Sequence, residues 1–177
     1  MKITGATRII TWGLPVLTAA VYGWLAVWLG GQLAAQSGGL MPFDLRLTGY
    51  DLGEARAYLR ALSPEGFALY QGPVARADTL FPALMGLCFA WWMRPFAGVF
   101  GMVCVLAAMA YVGLDWGENR AVGMMLEAGP DWVQPVDVLR ASAMTQGKFA
   151  AFALAAVLAA RQSWLRVKAR GAPPTAG

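Results

Sequence analysis

The sequence predicts an all-α integral membrane protein. It would form an up-down bundle of four transmembrane helices, with a short helical extracytoplasmic cap between helices 1 and 2. Of its 177 residues, 58% are hydrophobic and only 14% are charged, whereas a soluble domain is about half apolar and about a quarter charged. Long uncharged runs recur along the chain, and basic residues collect in the segments expected on one face of a bilayer.

The composition also excludes several classes of site. The chain has no histidine, which removes His-ligated haem, His-based zinc sites and nucleophiles paired with histidine. Cys88 and Cys104 lie inside apolar runs and are expected to be small buried side chains. We therefore predict no catalytic residue, no metal site and no cofactor. The net charge of +4 does not by itself indicate a nucleic-acid partner.

The first two spans are predicted at about 9–31 and 74–93. The first carries no charge over 23 residues, which makes about 34 Å of helix and is enough to cross a bilayer. It is too long for the apolar region of a signal peptide, so we predict a retained anchor. The second span is expected to end at a tight turn formed by Arg94 and Pro95.

The last two spans are predicted at about 96–119 and 138–160, joined by an outer connection at about 120–137. The fourth span contains two basic residues. Arg140 is close enough to the end to reach the membrane surface, but Lys148 is deeper and needs a partner.

These spans form a single membrane domain, residues 1–170. The remaining tail, 171–177, is rich in proline and glycine, and we expect it to be disordered. Gly86-x-x-x-Ala90 and Gly113-x-x-x-Gly117 match the small-residue spacing of helix contacts in membranes and are expected to serve packing.

Basic residues predict the orientation of the chain. If the N-terminus, the 94–95 turn and the C-terminal region face the cytoplasm, those segments hold seven basic residues and no acidic one. The seven are Lys2, Arg8, Arg94, Arg161, Arg166, Lys168 and Arg170. Because cytoplasmic loops are enriched in Lys and Arg, both termini are predicted to be cytoplasmic.

The segment 41–72, between the first two spans, is predicted to be a helical cap. Residues 41–46 alternate apolar and charged side chains, which indicates a short extended piece. Asp51 and Glu54 fit a capping box at the start of a helix. Pro64 suits the first position of a second helix, which Gly72 and Pro73 are expected to end. An interfacial helix or a docking face for a partner is the alternative.

Polar side chains predict a buried cluster near the outer end of the bundle. Asp78 lies 16 residues before Arg94 and Lys148 lies 13 residues before Arg161, which places them about 24 and 20 Å along their helices from the cytoplasmic side. The candidate cluster consists of Asp78, Asp115, Glu118, Asn119, Thr145 and Lys148. We favour an ion-pair network that locks the helices. Proton or cation handling stays open because acids outnumber the lysine, and a catalytic pair is disfavoured because no nucleophile with a matching base is visible.

A resemblance adds support for the topology. Residues 41–72 read MPFDLRLTGYDLGEARAYLRALSPEGFALYQG, with an outer-loop motif of Asp44, Arg46 and Tyr50. Asp78 with Phe81-Pro82, the Asp115-x-x-Glu118-Asn119 group and Thr145-x-x-Lys148 follow it. This pattern resembles a family of uncharacterised small bacterial four-span inner-membrane proteins over about residues 41–160. The resemblance implies topology and no activity.

The expected function is therefore non-enzymatic, as an accessory or assembly subunit of a larger membrane complex. Its expected partners are the lipid bilayer and other membrane subunits or copies of itself. The alternative is a small oligomeric transporter, or a proton- or cation-handling protein, that uses Asp78, Asp115, Glu118 and Lys148. A membrane enzyme ranks last, because the acids lie on separate spans without metal-ligand spacing.

Overall fold

The computed structural model describes residues 5–171, whose regular secondary structure is helical, as predicted, with no strand in that range. Within these residues, three helical stretches are long and apolar enough to cross a membrane: Thr7–Gln36, Gly98–Trp132 and Pro135–Ala169. The predicted disordered tail begins at the last described residue, Gly171, and its remaining residues, 172–177, lie outside the described part of the chain.

Between residues 5 and 171, five longer helices make up the fold. Helix α1 runs continuously through Gly5–Gly23, the π-helical Trp24–Leu29 and Gly30–Gln36. Helix α2 is Leu52–Ala61. Helix α3 joins Pro64–Leu69, the π-helical Tyr70–Val74 and Ala75–Met93. Helix α4 is Gly98–Trp132 and helix α5 is Pro135–Gly171.

The starts of α2 and α3 follow from their sequence. The Asp51 carboxylate accepts from the Glu54 N–H at 2.8 Å, and the Glu54 carboxylate accepts from the Asp51 N–H at 2.9 Å, so the predicted capping box forms. Ser63 caps α3 by accepting from the Gly66 N–H at 3.0 Å, with Pro64 in the first turn.

Two local predictions are wrong. Residues 41–46 contain a 3₁₀ turn, Phe43–Leu45, instead of an extended piece, because Leu45 and Arg46 donate backbone hydrogen bonds to Pro42 and Phe43. Gly72 and Pro73 do not end a helix. Pro73, which has no N–H, lies inside a π-helical turn, Tyr70–Val74, and the helix continues into Ala75–Met93.

The region predicted as an outer connection, 120–137, is mostly helical. Helix α4 continues to Trp132, and only residues 133–134 separate it from α5. The apolar pattern of α4 includes Val122, Met125 and Leu126, which are buried and keep the chain helical beyond residue 119. A kink at Gly129, whose φ is +72°, redirects the final turn.

In the described part of the chain, two apolar cores hold the helices together. One joins α1, α2, α3, α4 and α5 around Phe43, Tyr58, Leu59 and Met125. The other lies nearer the 94–97 connection, around Phe89, Met93, Cys104 and Ala155. Helix α5 packs against α4 and α3, whereas α1 packs mainly on α3.

The 37–63 segment is fixed on α5 by close backbone approach. Tyr50 N–H donates to Ser142 Oγ at 2.9 Å, and Gln146 Nε2 donates to the Thr48 carbonyl at 2.7 Å. Gly49 lies between these contacts with a φ of +80°, and a Cβ there would come within 2.6 Å of both side chains. A glycine is therefore required both by conformation and by space.

Candidate functional site

The polar cluster is centred on an ion pair between α4 and α5. Lys148 Nζ lies 2.5 Å from Glu118 Oε2 and 3.8 Å from Asp115 Oδ1. The three side chains are at most 9% exposed. A buried charge is tolerated when an opposite charge lies against it. Glu118 is therefore the partner that the sequence analysis expected Lys148 to need.

Thr145 completes the coordination of Glu118. Its hydroxyl donates to Glu118 Oε1, and the hydroxyl oxygen also lies 3.0 Å from the Ala141 carbonyl. Both Glu118 oxygens therefore face a donor on α5. Since Thr145 and Lys148 are three residues apart, one face of α5 supplies both donors.

Asn119 donates a hydrogen bond to a backbone carbonyl that a proline in α3 leaves without a helical partner. Pro82 has no N–H, so the carbonyl of Asp78, four residues earlier, loses its helical hydrogen bond. Asn119 Nδ2 donates to that carbonyl at 2.9 Å. The indole of Trp116 donates to the next carbonyl, that of Thr79, at 3.0 Å. Two side chains of α4 thus bind the irregular first turns of Ala75–Met93.

Asp78 is the unusual member of the cluster. It is 7% exposed, and within the described residues its carboxylate has no hydrogen-bond or ion-pair partner. Asp44 from the 3₁₀ turn faces the same space and accepts a hydrogen bond from Tyr70 at 2.8 Å. Lys148 is held by Glu118 and Asp115, so neither Asp44 nor Asp78 has a basic side chain within ion-pair distance among the described residues.

A cavity of about 350 Å³, which we call cavity 1, joins these groups. Asp44, Asp78, Asp115 and Lys148 form its polar wall. The rest of its lining is apolar or aromatic and comes from all four long helices and the 3₁₀ turn: Tyr22, Leu25, Ala26, Gly30, Leu33, Pro42, Leu45, Val74, Phe81, Met85, Tyr111, Phe149 and Phe152. Cavity 1 occupies the space between α1 and α5, which α1 leaves open by packing mainly on α3.

A second cavity of about 370 Å³, cavity 2, lies on the other side of Asp78. Asp44, Val74 and Asp78 line both cavities. Cavity 2 extends past Gln71 to the exposed carboxylate of Glu127. The unpartnered carboxyl group of Asp78 therefore lies between cavity 2, which extends to the exposed Glu127, and cavity 1, which has mostly apolar walls.

The outer-loop motif divides between two roles. Asp44 lines both cavities. The Tyr50 hydroxyl is buried near Glu118, and burial together with that negative charge raises the pKa of Tyr50. Arg46 is not part of the cluster: it donates to the Met41 carbonyl at 2.8 Å and stacks over Phe43, Tyr50 and Tyr58.

Sequence reasoning missed Tyr22, Tyr70 and Tyr111, and the last two contact or adjoin the acids of the site. Tyr111 lines cavity 1 beside Asp115, and its i, i+4 spacing from Asp115 on α4 was a usable signal. Tyr70 holds Asp44 across 26 residues of sequence, and no local pattern predicts that contact. Burial and the nearby Asp44 carboxylate raise the pKa of Tyr70, so this hydroxyl remains a donor well into the alkaline range.

Among residues 5–171, no group of three Cys, Asp or Glu side chains is placed to hold a metal ion. No protein-family model matches this chain, and no curated protein and no solved structure matches it either. The resemblance of residues 41–160 to small bacterial four-span proteins therefore stays a prediction.

Proposed function

We propose that the chain is a multi-pass protein of the bacterial inner membrane, with four spans and both termini in the cytoplasm. Three spans are the long apolar stretches of α1, α4 and α5. The fourth is Ala75–Met93, which packs against all three and carries no charge after Asp78 until Arg94. A helix packed along three spanning helices lies at the same depth in the membrane. The basic residues at 94, 161, 166 and 168 support a cytoplasmic location for the 94–97 connection and the C-terminal end of α5.

The 37–63 segment then lies outside the membrane as a helical cap. Support comes from its contacts with the ends of the long helices: α2 packs on α4 and α5, and Gly49 and Tyr50 lie against Ser142. The ion pair of Lys148 with Glu118 beneath it fixes the register of α4 against α5.

Within that placement, we favour a non-enzymatic role as an accessory or assembly subunit of a larger membrane complex. The observation that carries this proposal is the one-sided packing of α1. In its most apolar window, 11% of the residues are buried, against 33% for α4. Membrane helices associate through van der Waals packing. The side of α1 that packs on no described helix of this chain is therefore available for contact with a second protein.

Photo-crosslinking in native membranes tests this role. A photoreactive residue at Val27, which is 77% exposed on α1, is compared with one at Val157, 65% exposed on α5. We expect Val27 to yield a discrete protein adduct and Val157 to yield lipid adducts. Lipid adducts at both positions, with a detergent-extracted particle of single-chain mass, would contradict an accessory role.

A second candidate is favoured by Asp78. An unpartnered carboxylate between two cavities suits a small oligomeric transporter or a proton- or cation-handling protein that uses Asp78, Asp115, Glu118 and Lys148. Four spans leave little room for a pathway in one chain, so this function requires an oligomer. Proteoliposomes test it: we expect proton or potassium flux that Asp78→Asn abolishes, and flux equal to that of empty liposomes would eliminate the candidate.

A further inference from the structure

Cavity 1 has the composition of a ligand site and not only of a packing defect. Its volume of about 350 Å³ lies within the range of small-molecule sites, and most of its wall is apolar with polar groups on one side. Empty cavities in proteins are usually apolar, whereas this one contains Asp44, Asp78, Asp115 and Lys148.

The charge balance of the wall indicates the charge of the ligand. The ammonium of Lys148 is used by Glu118 at 2.5 Å and Asp115 at 3.8 Å. Arg46, the nearest basic residue in sequence to Asp44, is directed at the Met41 carbonyl and at aromatic rings. The carboxyl group of Asp78, which is 7% exposed, therefore lines the cavity with no basic side chain within ion-pair distance among the described residues.

The geometry of the carboxylates and rings indicates the kind of cation. A divalent metal needs several oxygen ligands at one point, and the described residues form no such group. The apolar wall instead contains aromatic rings, including Tyr22 and Phe81 with ring centroids 5.2 Å apart, and Phe149 and Phe152. Aromatic faces with a carboxylate are the setting that recognises organic ammonium groups.

We propose that cavity 1 binds an amphipathic organic monocation, with its ammonium group against the carboxylates of Asp78 and Asp44 and its apolar part among Phe81, Phe149 and Phe152. Such a ligand reaches Asp78 from cavity 2 by its charged end or from the lipid between α1 and α5 by its apolar end. This inference deepens the second candidate function by naming a ligand class, and it requires binding but no transport.

Calorimetry on the full chain in nanodiscs of zwitterionic lipid tests the inference, with empty nanodiscs subtracted. The probe is benzyltrimethylammonium, and its control is neopentylbenzene, which has the same shape without the charge. We expect saturable binding of one cation per chain and at least tenfold weaker binding of the neutral compound. Absence of saturable binding, or equal affinity for the two compounds, would overturn the proposal.

Three variants locate the site. Asp78→Asn keeps the shape of the side chain and removes its charge, and we expect at least tenfold weaker binding. Ala26→Phe fills the apolar wall from α1 without changing any charge, and it should abolish binding even if Asp78→Asn does not fold. Asp131→Asn removes an exposed carboxylate far from cavity 1 and should bind as the unchanged chain does.

The outcomes separate this inference from the function it rests on. Cation affinity that survives both Asp78→Asn and Ala26→Phe places the probe elsewhere and overturns the site. Loss of binding in Ala26→Phe alone overturns the role of Asp78. Proton or potassium flux without binding of benzyltrimethylammonium contradicts the ligand class and leaves the second candidate function standing. Binding of benzyltrimethylammonium without flux supports the ligand class and contradicts the second candidate function.

Discussion

The amide nitrogen of Asn119 lies 2.9 Å from the carbonyl oxygen of Asp78, the oxygen that Pro82 leaves without a helical partner. A side chain of α4 thereby replaces a backbone hydrogen bond of α3. The amide of Asn119 supplies the donor that residue 82 cannot, so the proline and the asparagine depend on each other. The same contact fixes the position of Asp78 between the two cavities.

Asn119→Ala should therefore destabilise the chain by about 1–3 kcal/mol, the cost of a buried acceptor left without a donor. The measurement is the free energy of unfolding by SDS in mixed micelles. The control is the same change in a Pro82→Ala background, where residue 82 supplies an N–H and the cost should be smaller. An equal cost in both backgrounds would show that Asn119 does not serve this carbonyl.

Lys148→Met should destabilise the chain by roughly 3–5 kcal/mol, because it leaves Glu118 and Asp115 buried without a cation. The same unfolding measurement checks the loss. Adding Glu118→Gln removes one of the two stranded charges and should restore part of the stability. If the double variant is no more stable than Lys148→Met, the ion pair is not what holds α4 and α5 in register.

The sequence contained enough to predict the helices and the members of the cluster, but not their full extent. Composition and uncharged runs predicted α1, α4 and α5, and the need of Lys148 for a partner pointed to the acids of α4. Continuation of α4 to Trp132 was missed because Glu127 and Asp131 lower the local hydropathy while Met125 and Leu126 are buried on its other side. Burial of one face is a tertiary effect that a hydropathy average does not report.

Gly49→Ala should cost more stability than Gly38→Ala. Both glycines have a positive φ, +80° and +64°, so each substitution carries a similar backbone strain of about 1–3 kcal/mol. Only at Gly49 would the new Cβ also displace Ser142 and Gln146, which hold the 37–63 segment by hydrogen bonds. Free energies of unfolding compare the two, and equal losses would argue against close docking on α5.

Gly86→Ala should destabilise the contact between α3 and α4 by about 1–3 kcal/mol, since its Cβ would lie 2.5 Å from a methyl group of Val112. Val112→Ala should relieve this cost. Gly113→Ala is the matched control, because no atom lies within 4 Å of the position that its new methyl group would take, and helix propensity predicts a gain of up to about 1 kcal/mol. Equal losses at both glycines would contradict the packing of α3 on α4.

The contacts within the site were harder to predict from the sequence than the residues that belong to it. Spacing placed Asp115, Glu118 and Asn119 on one face of α4, but it could not show that Asn119 serves a backbone carbonyl or that Asp78 stays unpartnered. Those facts depend on the position of Pro82 relative to α4 and on Tyr70 reaching Asp44, contacts between residues 26 to 41 positions apart. Sequence periodicity describes one helix at a time.

In the proposed topology, Ala75–Met93 crosses the membrane as a fourth span. Single cysteines at Glu65, Ala97 and Lys168, all exposed, are introduced in a chain with Cys88→Ala and Cys104→Ala and treated with an impermeant maleimide on spheroplasts. We expect Glu65→Cys to react in intact spheroplasts, and Ala97→Cys and Lys168→Cys to react only after permeabilisation. Labelling of positions 65 and 97 from the same side would contradict the fourth span and the account built on it.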